Sequence, residues 1–198
     1  MKRIAILVFL INFKVICLFA QVPDRPEKIS PILIGAKIPN VNLKTADGML
    51  IETHTIFMKK PSVVLIYRGG WCPYCNLHLS DIQNIEAKIV ELGYQIIAIS
   101  PDSPNNLEIT SNDRALNYML YSDASTQFIQ ALGIAFKASN NYVNLLLEKS
   151  EDLNRGVLPV PSVFIVDKSG LIEFEYINPD YKTRITAKLL LAVLNGLQ

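Results

Sequence analysis

Two cysteines separated by two residues are the strongest candidates for chemistry in this chain. Cys72 and Cys75 lie in the stretch YRGGWCPYC, residues 67–75, and such a pair can be a reversible dithiol, half of a metal site or a structural disulfide. A disulfide across so short a loop constrains the unfolded chain little. A tetrahedral metal site needs about four ligands, and besides the thiolates the chain offers only His54 and His78. The favoured interpretation is a reversible dithiol, with no metal.

The residues around the pair predict different roles for the two thiols. The run SVVLIY, residues 62–67, is typical of a buried strand, and Pro73 suits the first position of a helix. We therefore expect Cys72 at a helix N-terminus, where unpaired N–H groups and the helix dipole lower the pKa of a thiol. Cys75, one turn further along, is expected to be more buried and able to attack a mixed disulfide or a sulfenate on Cys72.

Three neighbouring side chains could assist the thiols, and each also has a purely structural interpretation. Trp71 could shield the active sulfur or dock a partner, or it could pack on the sheet edge. Arg68 could stabilise a thiolate or bind a peroxide oxygen, although a solvated arginine at a strand end is favoured. His78 could shuttle a proton, but its spacing from Cys75 indicates a polar helix face.

The rest of the chain alternates between strand-like and helix-like segments. Further strands are predicted over residues 94–100, 117–123, 162–167 and 171–177, the last two forming a hairpin, with another hairpin within 41–53. Helices are predicted over residues 75–92, 104–112, 125–133 and 184–197. The predicted fold class is α/β, with a central mixed and mostly parallel sheet flanked by helices on both faces. The stretch 140–156 reads as an insertion that could cover the core, line a substrate site or form the face of a homodimer.

Residues 1–20 have the layout of a secretory signal peptide. A basic start, Lys2 and Arg3, precedes an apolar run that ends at Ala20. We expect cleavage after Ala20 and an exported protein, periplasmic or associated with the envelope; a retained N-terminal anchor is the alternative. The remaining chain is long enough for one domain and slightly more acidic than basic. It has no basic run interleaved with aromatic residues, so nucleic acid binding has no support.

Four separated stretches carry a family resemblance: FMKKPSVVLIYRGGWCPYCNLHLSDIQ, IIAISPDSP, LPVPSVFIVDKSG and INPDYKTRI. Together they resemble the thioredoxin fold, and more specifically the peroxiredoxin-like branch of the alkyl hydroperoxide reductase/thiol-specific antioxidant (AhpC/TSA) family. The resemblance implies one thioredoxin-like domain over residues 35–198. It also implies a cis proline packed beside the dithiol, and the matching residue here is Pro161, preceded by Val160. Typical members carry Thr or Ser three residues before the reactive cysteine, where this chain has Gly69.

The resemblance implies antioxidant thiol chemistry without a further cofactor, and three hypotheses follow. The first is a peroxidase in which Cys72 is oxidised by a hydroperoxide, Cys75 forms a disulfide with it, and an external thioredoxin-like thiol reduces the pair. The second is an exported thioredoxin-like oxidoreductase that exchanges electrons with protein disulfides. The third is a copper carrier or binding module without enzymatic activity, which is disfavoured because no histidine follows His78.

Overall fold

A computed structural model describes residues 22–198, so the predicted signal peptide lies outside the described residues. The strands are β1 (Asn42–Thr45), β2 (Leu50–Glu52), β3 (Ser62–Ile66), β4 (Gln95–Ser100), β5 (Met119–Ser122), β6 (Ala135–Lys137), β7 (Val157–Pro159), β8 (Ser162–Val166) and β9 (Ile172–Ile177). Seven of them form one sheet in the order β2-β1-β5-β4-β3-β8-β9, and β6 pairs with β7 separately. The strands predicted from the sequence are all present, whereas the β6–β7 pair was not predicted.

The central sheet is mixed, as predicted, but it is not mostly parallel. Strand β4 runs parallel to both β3 and β5, while the other neighbouring pairs in this sheet are antiparallel. Two of these antiparallel pairs are the β1–β2 and β8–β9 hairpins, whose strands must run in opposite directions. Each hairpin also joins the parallel centre antiparallel, through β1 to β5 and through β8 to β3. The prediction of a mostly parallel sheet is therefore wrong.

The described residues contain seven α-helices, besides a short 3-10 helix at Pro26–Lys28. The α-helices are α1 (Thr53–Phe57), α2 (Pro73–Gln83), α3 (Glu86–Glu91), α4 (Pro104–Arg114), α5 (Gln127–Ala131), α6 (Asn140–Lys149) and α7 (Ala187–Gly196). The single helix predicted over 75–92 is two helices, because the chain tightens between them: the Ile85 N–H donates to the Ile82 carbonyl at 3.1 Å. None of the helices in residues 22–198 has the length and hydrophobicity needed to cross a membrane.

Strand β3 is buried along its whole length because its side chains alternate between two hydrophobic cores. Val63 and Leu65 lie in the core that contains the cysteines and residues of α2, α3, α4 and α7. Val64 and Ile66 lie in the core on the opposite face, with residues of α1 and α5. The predicted covering of both faces by helices is thus confirmed. Packing on both sides gives the segment that follows β3, which carries the cysteine motif, a rigid base.

The Val160–Pro161 peptide bond is trans, because no peptide bond among the described residues is cis. The expectation of a cis proline is therefore wrong. The Val160 N–H donates to the Ile134 carbonyl at 2.9 Å, and the Val160 carbonyl accepts a hydrogen bond from the Ser162 hydroxyl at 2.8 Å. These bonds hold the chain extended between β7 and β8. An extended chain is compatible with the trans isomer, which is favoured by about 0.5–1 kcal/mol before proline.

Candidate active site

The cysteine pair lies at the start of α2, as the sequence predicts. Cys72 is the N-cap residue and Pro73 occupies the first helical position. The Cys72 N–H donates to the Gly69 carbonyl at 3.1 Å, and the Cys72 carbonyl accepts from the Cys75 N–H at 3.1 Å. Both thiols are free, and each cysteine is only 1% exposed. The pair is thus fixed by the backbone and covered by neighbouring side chains.

The pKa values of the two thiols are shifted in opposite directions. A hydrogen bond from the Cys75 thiol, aided by the Cys75 N–H and by the Arg68 and Arg184 cations, lowers the pKa of Cys72 to about 6. The same thiol–thiol interaction and burial raise the pKa of Cys75. At neutral pH, Cys72 is therefore the thiolate and Cys75 the protonated thiol, which is the order that the sequence predicts.

Arg68 is buried, with 4% of its surface exposed, so the prediction of a solvated arginine is wrong. Its guanidinium carbon lies 5.1, 5.0 and 4.4 Å from the ring centroids of Trp71, Tyr142 and Tyr181. Cation–π attraction to these rings offsets part of the cost of removing the charge from water. The Nε atom of Arg68 has no hydrogen-bond partner among the described residues. A buried cation with a free donor thus lies beside Cys72.

Trp71 packs on helix α6 and not on the sheet edge. Its ring lies 5.6 Å from that of Tyr142, at an interplanar angle of 41°. Helix α6 occupies most of the insertion predicted at 140–156. Through Tyr142 it contributes to the wall of the site, and through the buried Leu146 it covers the core. The expected covering of the core is therefore confirmed, while the substrate wall and the homodimer face stay predictions.

A cavity of about 510 Å³ lies beside Arg68. Tyr142, Tyr181 and Pro161 contribute to its walls, and most of its lining is apolar. Pro161 thus faces the cavity, while Val160 before it is fully buried. Because Arg68 also lowers the pKa of Cys72, this one side chain links the cavity to the reactive thiol. The space is large enough for an organic molecule.

Two buried polar side chains that sequence analysis did not single out hold the loop between β3 and α2. The Gly70 N–H donates to Asp102 Oδ2 at 2.7 Å, and Asn76 Nδ2 donates to the Gly70 carbonyl at 2.7 Å. Burial raises the pKa of Asp102 to about 7. Asp102 follows β4, the parallel neighbour of β3, and the carboxyl ends of such strands form sites together. That rule could have identified Asp102 from the sequence.

Arg184 reaches the dithiol from the loop between β9 and α7, and it too was missed. Its Nη2 lies 3.7 Å from Cys75 Sγ, although the two residues are 109 positions apart in the sequence. It belongs to the stretch INPDYKTRI, but nothing local to that stretch indicates that the arginine points to a thiol. Two arginines therefore approach the cysteine pair, from opposite ends of the domain sequence.

His78 is buried, not on a polar face as predicted, because its side of α2 packs beneath Arg184 and Ile185. Burial, with a contribution from the Arg184 cation, lowers the pKa of His78 to about 4. The imidazole is therefore neutral at physiological pH. Among residues 22–198, His, Cys, Asp and Glu side chains form no group of three or more that could hold a metal ion.

A family model matches most of the chain. Residues 34–175 match the model of the AhpC/TSA family. The chain belongs to the AhpC/TSA family. The resemblance inferred from the sequence is confirmed, and so is the expected enzyme class, an oxidoreductase with a peroxiredoxin-like domain.

Similar AhpC/TSA-type proteins include both peroxiredoxins and thiol–disulfide oxidoreductases. The chloroplastic peroxiredoxin Q of Gentiana triflora is 26% identical over 165 residues, which cover 80% of this chain and 68% of that protein. The thiol:disulfide interchange protein DsbE of Vibrio cholerae is 23% identical over 158 residues, covering 78% of this chain and 70% of that protein. The structure of reduced Prx3 of Vibrio vulnificus with H2O2 has a TM-score of 0.71 at 17% identity, covers 82% of this chain and 99% of its own, and confirms the thioredoxin-like fold.

Gly69 stands where the resemblance implies a hydroxyl-bearing residue, and neighbouring groups occupy the space that a side chain there would need. Gly69 has a φ of +143°, and a Cβ there would lie 2.2 Å from Trp71 Nε1 and 2.7 Å from Asp102 Oδ1. A Cβ on Gly70 would lie 1.9 Å from Thr110 Oγ1. Threonine or serine could not be accommodated at position 69 without moving the indole or the carboxyl group.

Proposed function

We propose that the protein is an exported thiol peroxidase that reduces hydroperoxides through Cys72 and Cys75. The observation that carries the proposal is the Cys72 thiolate at the N-terminus of α2, with a buried guanidinium beside it and a second thiol one turn away. A thiolate so placed is nucleophilic near neutral pH. The similarity to peroxiredoxin Q supports a peroxide as the electrophile.

In the proposed first step, the Cys72 sulfur attacks one oxygen of the hydroperoxide. The new S–O bond forms as the O–O bond breaks, and the departing alkoxide or hydroxide takes a proton to leave as alcohol or water. Arg68, whose Nε has no partner among the described residues, is suited to donate a hydrogen bond to the oxygen on which charge develops. Cys72 is left as a sulfenic acid.

In the second step, Cys75 attacks the sulfenic sulfur of Cys72. The S–S bond forms, the S–O bond breaks, and the released hydroxide takes the thiol proton and leaves as water. An external dithiol of the thioredoxin type then reduces the disulfide by two successive exchanges. The cycle consumes one hydroperoxide and one dithiol per turn, and it needs no cofactor beyond the two cysteines.

A thiol–disulfide oxidoreductase acting on protein disulfides is the second candidate. The observation in its favour is the absence of a hydroxyl at Gly69, where a typical peroxiredoxin has Thr or Ser. Trp71 and Asp102 occupy the space next to Gly69. The similarity to the thiol:disulfide interchange protein DsbE agrees with it. Both candidates use Cys72 as the nucleophile, so they differ in the substrate and not in the residues.

A stopped-flow comparison of substrates tests the proposal. Trp71 is the only tryptophan of the chain and precedes Cys72 directly, so its fluorescence reports oxidation of the pair. Reduced protein is mixed with hydrogen peroxide, an organic hydroperoxide or an oxidised protein. We expect a hydroperoxide to react fastest and Cys72→Ser to give no signal. Fastest reaction with the oxidised protein would favour the disulfide exchanger, and no reaction with any of them would exclude both enzymes.

A further inference from the structure

We propose that Arg184 is a catalytic residue of the resolving step, in which its guanidinium stabilises the Cys75 thiolate as Cys75 attacks oxidised Cys72. The inference rests on the proposed function only in assuming that Cys72 becomes oxidised; a sulfenic acid and a mixed disulfide serve equally. It assigns separate duties to the two arginines. Arg68 lies with the cavity on the Cys72 side, and Arg184 contacts the sulfur of Cys75.

The Cys75 thiol must lose its proton to act in the resolving step, and Arg184 favours that loss. Only a thiolate attacks a sulfenic acid or a disulfide efficiently, yet Cys75 is 1% exposed. Burial in an apolar core disfavours the charged form of a thiol. A cation in contact with the sulfur favours the thiolate, and Arg184 Nη2 lies 3.7 Å from Cys75 Sγ.

The other groups that face Cys75 do not supply this charge. Cys72 precedes it on α2 and is anionic when reduced. His78, on the same helix, is neutral because burial lowers its pKa to about 4. Tyr67, at the end of β3, is also neutral, since burial raises the pKa of its hydroxyl. Arg68 reaches Cys75 through its backbone N–H, which lowers the pKa of Cys75 more than the Arg184 cation does. That N–H is a neutral donor, and the charged guanidinium of Arg68 contributes to lowering the pKa of Cys72.

Oxidation of Cys72 itself activates the pair. In the reduced state, Cys75 donates its hydrogen bond to the Cys72 thiolate, and this is the largest cause that raises the pKa of Cys75. A sulfenic acid or a mixed disulfide on Cys72 carries no such charge, so that cause is lost. The Arg184 cation then acts on Cys75 without a competing anion. The resolving nucleophile thus becomes available only after the first step.

The loop that carries Arg184 is held in place by its own hydrogen bonds. Asp180 accepts from the Lys182 N–H at 3.1 Å and from the Thr183 hydroxyl at 2.9 Å. Arg184 Nη1 donates to the Thr183 carbonyl at 3.1 Å, which orients the guanidinium. Its buried Nε has no partner among the described residues. The loop therefore presents a preorganised cation, which is the arrangement that stabilises developing charge most effectively.

An assay with an aromatic disulfide isolates this step from any peroxide chemistry. Reduced protein in excess is mixed with dithiobis(nitrobenzoate), and release of the coloured thiolate is followed by absorbance. Attack by Cys72 releases the first thiolate and leaves a mixed disulfide. Cys75 then loses its proton to the buffer and attacks Cys72; the Cys72–Cys75 bond forms as the mixed disulfide breaks and releases the second thiolate. Cys75→Ser should lose the second phase only. A protein that does not react with hydroperoxides would still report on Arg184 in this assay.

We expect Arg184→Gln to slow the second phase about tenfold and to move its pH midpoint up by about one unit, which are the same energetic change. The first phase should change much less, because the Arg184 cation is a minor influence on Cys72. Arg184→Lys should recover part of the rate. Lys188→Gln, which removes an exposed cation of α7, should behave as the parent protein.

Two results would overturn the assignment. One is an unchanged second phase and pH midpoint in Arg184→Gln; the other is equal slowing of both phases, as a purely structural role would give. Thermal unfolding of each variant checks that the fold is retained. If the glutamine variant does not fold, Arg184→Met keeps the apolar stem of the arginine, and the same two phases and pH midpoint decide.

Discussion

The guanidinium carbon of Arg68 lies 4.4 Å from the ring centroid of Tyr181, so the cation beside Cys72 is supported by the loop that also carries Arg184. Tyr181 further packs edge-on against Tyr74 of α2, with ring centroids 5.6 Å apart. One loop, between β9 and α7, therefore contributes to the surroundings of both cysteines. Its position relative to α2 is central to the chemistry of the pair.

The pKa of Cys72 should rise in a defined order when its neighbours are changed. Cys75→Ala should raise it most, because the hydrogen bond from the Cys75 thiol is the main cause of its low value, about 6. Arg68→Gln should raise it by a smaller amount, through loss of a nearby cation. The measurement is the pH dependence of alkylation by iodoacetamide. Arg114→Gln, an exposed arginine of α4, is the control, and a lower midpoint in Cys75→Ala would contradict the account.

Introducing the family's usual hydroxyl at position 69 should destabilise this protein. Gly69→Thr puts a Cβ 2.2 Å from Trp71 Nε1 at a φ of +143°, and strain of this kind costs on the order of 1–3 kcal/mol. Urea unfolding measures the loss. Gly48→Ala, at a positive φ in open space, separates backbone strain from the clash. An equal loss in the two variants would show that contact with the indole and Asp102 is unimportant.

The stability of the protein should depend on pH through Asp102. Burial raises the pKa of Asp102 from 3.8 to about 7, so in that interval the folded protein keeps a proton that the unfolded chain has released. The Asp102 contribution to the free energy of unfolding therefore falls as pH rises from about 4 to 7. Asp102→Asn removes this contribution. As pH rises, the free energy of unfolding of the variant should therefore increase relative to that of the parent, by at most about 1.4 kcal/mol for each pH unit.

Urea unfolding of the parent and of the Asp102→Asn variant between pH 4 and pH 7 gives the difference in their free energies of unfolding. Asp123, whose pKa burial also raises to about 7, and His78 are present in both proteins, so their contributions cancel. A difference between the Asp102→Asn variant and the parent that does not change with pH would show that the Asp102 carboxyl group titrates normally in the fold.

The proposed export of the protein leads to a prediction about its N-terminus. Protein recovered from its native cell envelope should begin at Gln21, because a basic start and an apolar run precede the small residue Ala20. Intact-mass analysis measures this directly. Ala20→Arg should block processing, since the cleavage site requires a small residue. Recovery of the parent protein with Met1 retained would favour the anchor.

The sequence predicts those parts of the site that depend on local pattern. The apolar run of β3 and the Cys-Pro step into α2 are recognisable because burial and capping act on neighbouring residues. The burial of Arg68 was not predictable in this way, since two of the rings around it come from Tyr142 and Tyr181, far along the chain. Arg184 was missed for the same reason. Its partner sulfur is close only after α7 and its preceding loop have packed on α2.

The mostly parallel sheet was predicted wrongly because strand direction is a property of pairs. The runs that became β3, β4 and β8 look alike as buried apolar segments, yet β8 lies antiparallel to β3. The trans bond before Pro161 lies in a segment whose partners, Ile134 and Ser162, hydrogen-bond to Val160. The strands and the proline were identified correctly from the sequence. The strand directions and the isomer of the proline bond depend on contacts between distant parts of the chain, which no local pattern contains.

The most direct test of the central claim is the species that forms on Cys72 when the resolving thiol is absent. Reduced Cys75→Ser is mixed with one equivalent of an organic hydroperoxide, and its intact mass is measured with and without dimedone, which captures sulfenic acids. The account predicts the addition of one oxygen atom, carried by Cys72 and converted to the dimedone adduct, within the time of the stopped-flow reaction. An unmodified mass, in a variant that still forms a mixed disulfide with an oxidised protein, would contradict the peroxidase.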